Sequence, residues 1–421
     1  MGLPANDRSI AAFTMLGHGL VHWFEMSIPI FLVVWIDEFA VSVALAGLVA
    51  ALGYAPFGLG ALPGGLLADR FGARRVILLC YAGMTISFLA LALAPTIRVV
   101  ALALILWGIA ASVYHPAGMA LISTGARRRG TVFAYHGIAG NTGIALGPFA
   151  AATLLAVFEW PIVAALLAAP GLLAVAYGLR ASFDPTAAVD DSEAGASTAL
   201  SARTLLANSR YLFAGGFLVV FALVAFEGLY YRGVLTFLPE ILQDLEATSD
   251  LAPGTGLAGI EPGDYVFVGL LVVGIAGQYA GGKLTERVAV ERGLLVVFAV
   301  LAVLAVAFVP ATELGAVGLL AVCGLLGFFL FAIQPFYQVA VAQYSPPDTR
   351  GLSYGYTYLA EFGFGAASIA IGGAVLGAYG LGAFFAVLAG FAVVAGGLAI
   401  VLLVGSDRLS FLEPRGAEAA D

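Results

Sequence analysis

The sequence predicts an all-α integral membrane protein whose twelve transmembrane helices form two pseudo-symmetric six-helix bundles. Three observations predict it. Of the 421 residues, 62% are hydrophobic and only 10% charged, which is too little polar surface to cover a soluble globule of that length. Apolar runs of about 20 residues or more recur along the chain, the length a helix needs to cross roughly 30 Å of hydrocarbon. A short glycine-rich text also appears twice, as Gly64-Gly65-Leu66-Leu67-Ala68-Asp69-Arg70 and as Gly281-Gly282-Lys283-Leu284-Thr285-Glu286-Arg287, 217 positions apart. Each copy follows one apolar run and precedes another, the mark of a duplicated half. A β-barrel would alternate polar and apolar residues instead.

The runs cover 10–36, 41–67, 75–95, 98–124, 130–157, 160–180, 211–238, 264–284, 292–311, 314–344, 351–377 and 381–404. They divide the chain into a first bundle over 1–180, a polar linker over 181–210, a second bundle over 211–405 and a tail over 406–421. The first run is too long for a signal core and lacks a cleavage site, so it is expected to stay in the membrane. Cys80 and Cys323 fall inside apolar runs and read as small buried hydrophobes. With the N-terminus inside, all of the 18 basic residues except Arg98 and Arg232 fall on the cytoplasmic side. This places both termini in the cytoplasm and the protein in the plasma membrane. Acids such as Glu240, Asp244, Glu246, Asp250, Glu261 and Asp264 gather on the opposite side, and nothing basic enough to bind nucleic acid is present.

The repeated text marks a tight cytoplasmic turn. Gly64 and Gly65 allow close helix approach, Asp69 can cap the next helix, Gly72 permits a reversal, and Arg70, Arg74 and Arg75 hold the turn on the positive side. In the second copy Glu286 replaces Asp69 and Ala289 stands where Gly72 does. On these residues the chain resembles the major facilitator superfamily of secondary transporters, whose signature loop between helices two and three reads glycine, acid, base, glycine, bases. The resemblance implies a central cavity lined chiefly by the first, fourth, seventh and tenth helices and opened alternately to each side. It also implies a cytoplasmic gate built from Gly65, Asp69, Arg70, Gly72, Arg74 and Arg75, with Gly282, Glu286 and Arg287 from the second copy.

Ionisable residues inside the apolar runs are costly, by roughly 2.5–3.5 kcal/mol for an acid at mid-membrane, so each is a candidate for function. His18, His22 and Glu25 lie at spacings of four and three and share one face of the first helix. Glu227, with Phe226 before it as Phe24 precedes Glu25, mirrors this acid in the seventh run. Tyr231 follows it. Arg232 is about 140° around the helix from Glu227, so it is expected to answer a carboxylate on another helix, an anionic substrate or the interface. In the eleventh run Tyr354, Tyr358 and Glu361 repeat the four-and-three spacing, while the fifth run has Gly140 near the equivalent position.

Tyr114-His115-Pro116 and Gln334-Pro335 place a proline mid-helix in the fourth and tenth runs, so both helices should kink at similar depth and turn their polar neighbours inward. Gln334, Tyr337 and Gln338 make one polar face. In the fifth run, His136 and Asn141 precede Gly143-Ile144-Ala145-Leu146-Gly147-Pro148. This segment resembles the glycine-proline motif of proton-coupled exporters in the superfamily. Tyr114–Gly118 together with His136–Asn141 resembles its fosmidomycin-resistance-like branch, which implies export of small toxic molecules.

The expected function is therefore secondary active transport of a small molecule by alternating access, coupled to protons and directed outward. Glu25, Glu227 and Glu361 are the protonatable candidates, assisted by His18 and His22. An importer of a small organic anion, with Arg232 as counter-charge, remains an alternative, as does a membrane sensor. An enzyme is not expected: His18 and His22 are separated by Gly19-Leu20-Val21 without the glutamate of a zinc-protease helix, and no nucleotide-binding loop is present. No cofactor and no metal are expected beyond the proton gradient. The expected partners are the substrate and the lipid bilayer, with the protein monomeric.

Overall fold

The computed structural model describes residues 3–188, 202–249, 251, 262–285, 287–345 and 350–405. Among these the chain is helical and forms no strand. The first elements are α1 (Ala5–Glu38), α2 (Val43–Leu59), α3 (Ala61–Phe71), α4 (Ala73–Leu91), α5 (Ile97–Ser112), α6 (Tyr114–Gly125), α7 (Arg129–Leu155) and α8 (Trp160–Arg180). After them come α9 (Ala202–Phe213), α10 (Phe217–Asp244), α11 (Glu246–Ser249), α12 (Pro262–Thr285), α13 (Val290–Thr312), α14 (Ala316–Gln343) and α15 (Arg350–Tyr358). A π-helical turn, Leu359–Phe364, leads into α16 (Ala366–Gly405).

Among the described residues ten helical stretches are long and apolar enough to span a membrane, and α2, at 17 residues, is a shorter apolar helix. The last stretch, Leu352–Gly405, runs for 54 residues, about twice a span. It is divided at Gly380, whose φ of 79° and ψ of −174° are not helical. With that stretch counted as two and α2 added, the apolar helices among the described residues number twelve, the number of apolar runs in the sequence.

Two prolines act differently. The fourth run breaks at Val113, between α5 and α6. Pro116 has no N–H for the carbonyl of Ser112 and its ring crowds that carbonyl. Pro335, by contrast, lies inside α14, which continues through it as one helical element. A proline removes one hydrogen bond, and whether the helix also breaks depends on what packs against it.

Contacts cluster the chain into two compact units, one of Met1–Phe39 with Leu52–Ser201 and the other of Ala40–Ala51 with Ala202–Asp421. In the first unit the residues just after α8 are docked and not loose, in contrast to the flexible linker expected from 181 onward. Asn6 donates to the carbonyls of Gly125 and Asp184, and Thr124 donates to that of Pro185. Arg127 reaches the carbonyl of Ala187. The rest of the linker over 189–201 and the tail over 406–421 lie outside the described residues. Cys80 and Cys323 are buried free thiols.

Candidate functional site

In the first unit α1 is gripped by its neighbours along its length. The hydroxyls of Tyr81 and Tyr114 donate to the carbonyls of Phe13 and Thr14, and the indole of Trp23 donates to the carbonyl of Leu167 at 3.0 Å. On the α7 side, Gly143 and Gly147 bring backbone against backbone: a β-carbon there would lie 2.2 Å from the Gly19 carbonyl and 2.4 Å from that of Trp23. Gly140 leaves the space that the His18 ring fills, since a β-carbon would come within 2.4 Å of it. This packing fixes the depth and rotation of α1 and aims its polar face.

That face meets two other elements. His22 Nδ1 lies 2.5 Å from Glu25 Oε2, and His22 Nε2 lies 3.2 Å from His18 Nε2. His18 Nδ1 is 2.8 Å from the carbonyl oxygen of His136 on α7, whose ring stacks on that of His18 at 3.9 Å between centroids. His115, at the start of α6, meets the rings of His18 and His22 edge-on at 5.3 and 5.6 Å. All four histidines of the chain are therefore in one cluster beside Glu25, which is 1% exposed. Asn141 is half-buried on the same helix as His136, and among the described residues no hydrogen bond joins it to the histidines.

The second unit gathers the other acids. Glu227 on α10 and Glu361 in the π-helical turn are both buried and interact electrostatically with each other, and Arg232 interacts with Glu227. Gly228 makes this possible, because a β-carbon there would sit 2.4 Å from the carbonyl oxygen of Glu361. Neither carboxylate oxygen of Glu227 has a hydrogen-bond partner among the described residues. The Tyr337 hydroxyl donates to Glu361, and Tyr358 lies within electrostatic reach of the same carboxylate and of Tyr354. The guanidinium of Arg232 sits over the Phe362 ring at 4.7 Å and the Tyr231 ring at 5.5 Å.

Arg232 interacts with Glu227 electrostatically, but no hydrogen bond joins it to either carboxylate oxygen of that acid among the described residues, in keeping with their separation around the helix. One expectation is corrected here. The stretch carrying Tyr354, Tyr358 and Glu361 is not one regular α-helix. The π-helical turn widens it just where Glu361 projects, a distortion frequent at functional sites.

On the proline-bearing α14, Gln334 accepts a hydrogen bond from Gln278 at 3.4 Å, whereas Gln338, one turn on, is exposed. The polar face expected there is thus split: Tyr337 joins the carboxylates and Gln334 pairs with α12.

In the repeated loop Gly72 has φ 84° and precedes α4, which begins with no side-chain cap. Arg74 donates to the carbonyls of Gly178 and Leu179, closing the C-terminus of α8. Arg70 lies over Phe71, and Arg75 is exposed. A β-carbon on Gly65 would lie 3.8 Å from Pro116 and one on Gly282 would lie 4.0 Å from Pro335, so each copy faces the proline of its own unit. Arg287 is exposed. Ala289 has φ −53°, so the second turn does not use the left-handed conformation that Gly72 supplies. Glu286 and the side chain of Asp69 lie outside the described residues.

Residues 14–369 match the Major Facilitator Superfamily. The chain belongs to that superfamily. It is a secondary transporter that works by alternating access, a multi-pass membrane protein and not an enzyme. Solved structures of the same fold include a bacterial homolog of the human lysosomal transporter Spinster in an inward-facing, occupied conformation, with a TM-score of 0.73 at 16% identity over 95% of this chain and 97% of that one. A D-xylose–proton symporter gives a TM-score of 0.73 at 17% identity over 94% and 97%. The xylose transporter XylE from E. coli, inward open, gives 0.73 at 15% identity over 98% and 99%. No curated protein sequence matches the chain significantly.

Two polar residues of this transporter escaped the sequence reading. Tyr337 was placed on a polar face without being tied to Glu361, because nothing local reveals which helix it meets. Glu291, buried in the first turn of α13, accepts hydrogen bonds from Gln343 and Tyr344 at 2.9 and 2.7 Å. It occupies the position that Arg74 holds in the first copy, so an arginine closing a helix end is replaced by an acid that ties down the end of α14. The offset of 217 between copies is the signal that could have found it.

Proposed function

We propose that this transporter couples the efflux of a small toxic molecule to proton entry, with Glu227 and Glu361 as the carboxyls that exchange the proton. The observation that carries the reading is the buried Glu227–Glu361 pair, with the guanidinium of Arg232 interacting with Glu227. One cation answers one carboxylate, and the second acid is best accommodated in a dry site when it holds a proton. A substrate that displaces Arg232, or brings its own positive charge, changes which carboxyl needs that proton and so links the two fluxes. Glu25 contacts His22 and is left out of this coupling pair.

Outward direction rests on the resemblance of Tyr114–Gly118 and His136–Asn141 to the fosmidomycin-resistance-like branch. The same reading places the protein in the plasma membrane as a monomer, both termini cytoplasmic, drawing on the proton gradient without a cofactor. The repeated loop, with Gly65, Asp69, Arg70, Gly72 and Arg75, serves as the cytoplasmic gate.

The test uses proteoliposomes and a substrate first found by thermal-shift screening against antibiotics, sugars and carboxylates. Glu227→Gln and Glu361→Gln should each abolish uphill transport driven by an imposed pH gradient while substrate exchange continues. Unchanged uphill transport in both variants would remove the pair from the coupling role.

A further inference from the structure

The histidine cluster of the first unit carries an inference of its own. We propose that His18, His22 and His115 form a binding site for a divalent transition-metal ion of the zinc type, with Glu25 as the carboxylate that orients His22.

The argument starts from which nitrogen can hold a hydrogen. A carbonyl oxygen only accepts, so the contact of His18 Nδ1 with the His136 carbonyl at 2.8 Å puts the hydrogen on Nδ1 and leaves His18 Nε2 as a bare lone pair. An ionised Glu25 likewise only accepts, so the 2.5 Å contact places the hydrogen of His22 on Nδ1 and bares its Nε2. These two bare nitrogens face each other at 3.2 Å. Two lone pairs at that distance repel unless something positive lies between them.

A proton could fill that place between two nitrogens, but the site offers three. The donor atoms of His18, His22 and His115 all lie within 4.8 Å of one another. Tetrahedral zinc with Zn–N bonds of about 2.0–2.1 Å sets its nitrogens about 3.3 Å apart, close to the separation already present between His18 and His22. The hydrogen bond from His22 Nδ1 to a carboxylate is the arrangement that fixes tautomer and ring direction for metal-bound histidines. A separate observation points the same way: Nε2 of His136 is buried and has no hydrogen-bond partner among the described residues, although its ring lies against that of His18.

Three imidazoles with no thiolate favour zinc, copper, nickel or cobalt over magnesium or calcium, which take oxygen ligands. The absence of a metal pattern in the sequence reflected one helix only; the third ligand comes from α6. A bound ion would tie α1 to α6 just beyond the break at Val113. Binding does not depend on the proton-coupling reading, since Glu227 and Glu361 belong to the other unit.

The experiment uses the full-length protein in detergent, freed of its purification tag and stripped with a chelator, then titrated with Zn²⁺ by calorimetry and with Co²⁺ by absorption. The expected result is one ion per chain at micromolar affinity or tighter, an intense tetrahedral cobalt spectrum and a rise in melting temperature. His115→Ala should weaken binding at least 30-fold, and Glu25→Gln by about 10–100-fold through loss of the orienting carboxylate. His18→Asn, which keeps a donor for the His136 carbonyl, should weaken it as much as His115→Ala and covers the case in which the alanine variant does not fold. Glu361→Gln should leave binding unchanged. No ion taken up at saturation would mean that a proton alone closes the contact, and binding that survives both His18→Asn and His115→Ala would place the ion elsewhere. Either result overturns the proposal.

Discussion

The hydroxyl of Tyr54 on α2 donates a hydrogen bond of 2.7 Å to the carbonyl oxygen of Glu25 on α1. That carbonyl would ordinarily accept the N–H of the residue four positions on, but this is Pro29, which has none. Tyr54 therefore replaces a backbone donor that the sequence itself removes, and in doing so fixes the helix turn that presents Glu25 to His22. Tyr54→Phe should cost about 1–3 kcal/mol, the penalty for taking a donor away from a buried acceptor. In a Pro29→Ala background, where the N–H returns, the same change should cost less than about 1 kcal/mol. Equal costs in the two backgrounds, measured by denaturant or thermal unfolding, would refute the link.

Gly72 and Ala289 make a matched pair for backbone strain. Gly72 has φ 84° and nothing within 4 Å of where a β-carbon would go, so Gly72→Ala tests conformation without collision. The expected loss is about 1–3 kcal/mol. Ala289→Gly, at an ordinary φ of −53°, should change stability by less than about 1 kcal/mol. Thermal unfolding of both variants checks the contrast.

Gly228→Ala should push α10 away from the π-helical turn, since its β-carbon would collide with the Glu361 carbonyl. We expect a stability loss of about 1–3 kcal/mol from overpacking. Uphill transport should fall further than substrate exchange does, because the spacing of the two acids changes while the rest of the protein is untouched. Paired flux measurements on the variant would show this split or its absence.

Acid should release the segment after α8. Asp184 is exposed and accepts hydrogen bonds from the backbone N–H and hydroxyl of Thr186, which hold its carboxyl below the usual aspartate value. A folded value below the unfolded one means the unfolded state binds the proton more readily. The contribution is thus complete above the ordinary aspartate value of about 3.9 and is lost as pH falls through the lowered one. Limited proteolysis over 181–188 should show protection at neutral pH that declines on acidification. Asp184→Ala should show the reduced protection throughout, with little further change in acid.

The membrane character, the twelve spans and the duplicated loop were legible because each depends on local quantities: the length of an apolar run, the residues that interrupt it, and a text that recurs. The three membrane acids were legible for the same reason, as a charge in hydrocarbon is conspicuous wherever it points. Their company was not. His115 and His136 lie about a hundred residues from His18, and only the glycine-lined approach of α7 and the break before α6 bring them to it. Pro335 looked equivalent to Pro116, yet an element boundary falls beside Pro116 while α14 continues through Pro335.

What the amino-acid order alone determined is a chain that must fill a bilayer with helices and hide its few ionisable groups, since both follow from the transfer energies of the residues themselves. What the tertiary structure decided is which of those groups share a site: four histidines with Glu25 in one unit, and Glu227 with Glu361, Arg232 and Tyr337 in the other. The reason is geometric. The rotation and depth of each helix are set by glycine-mediated contacts, by tyrosine hydroxyls on backbone carbonyls and by one widened turn. Those choices are made between helices, where the spacing of residues along any single helix carries no information.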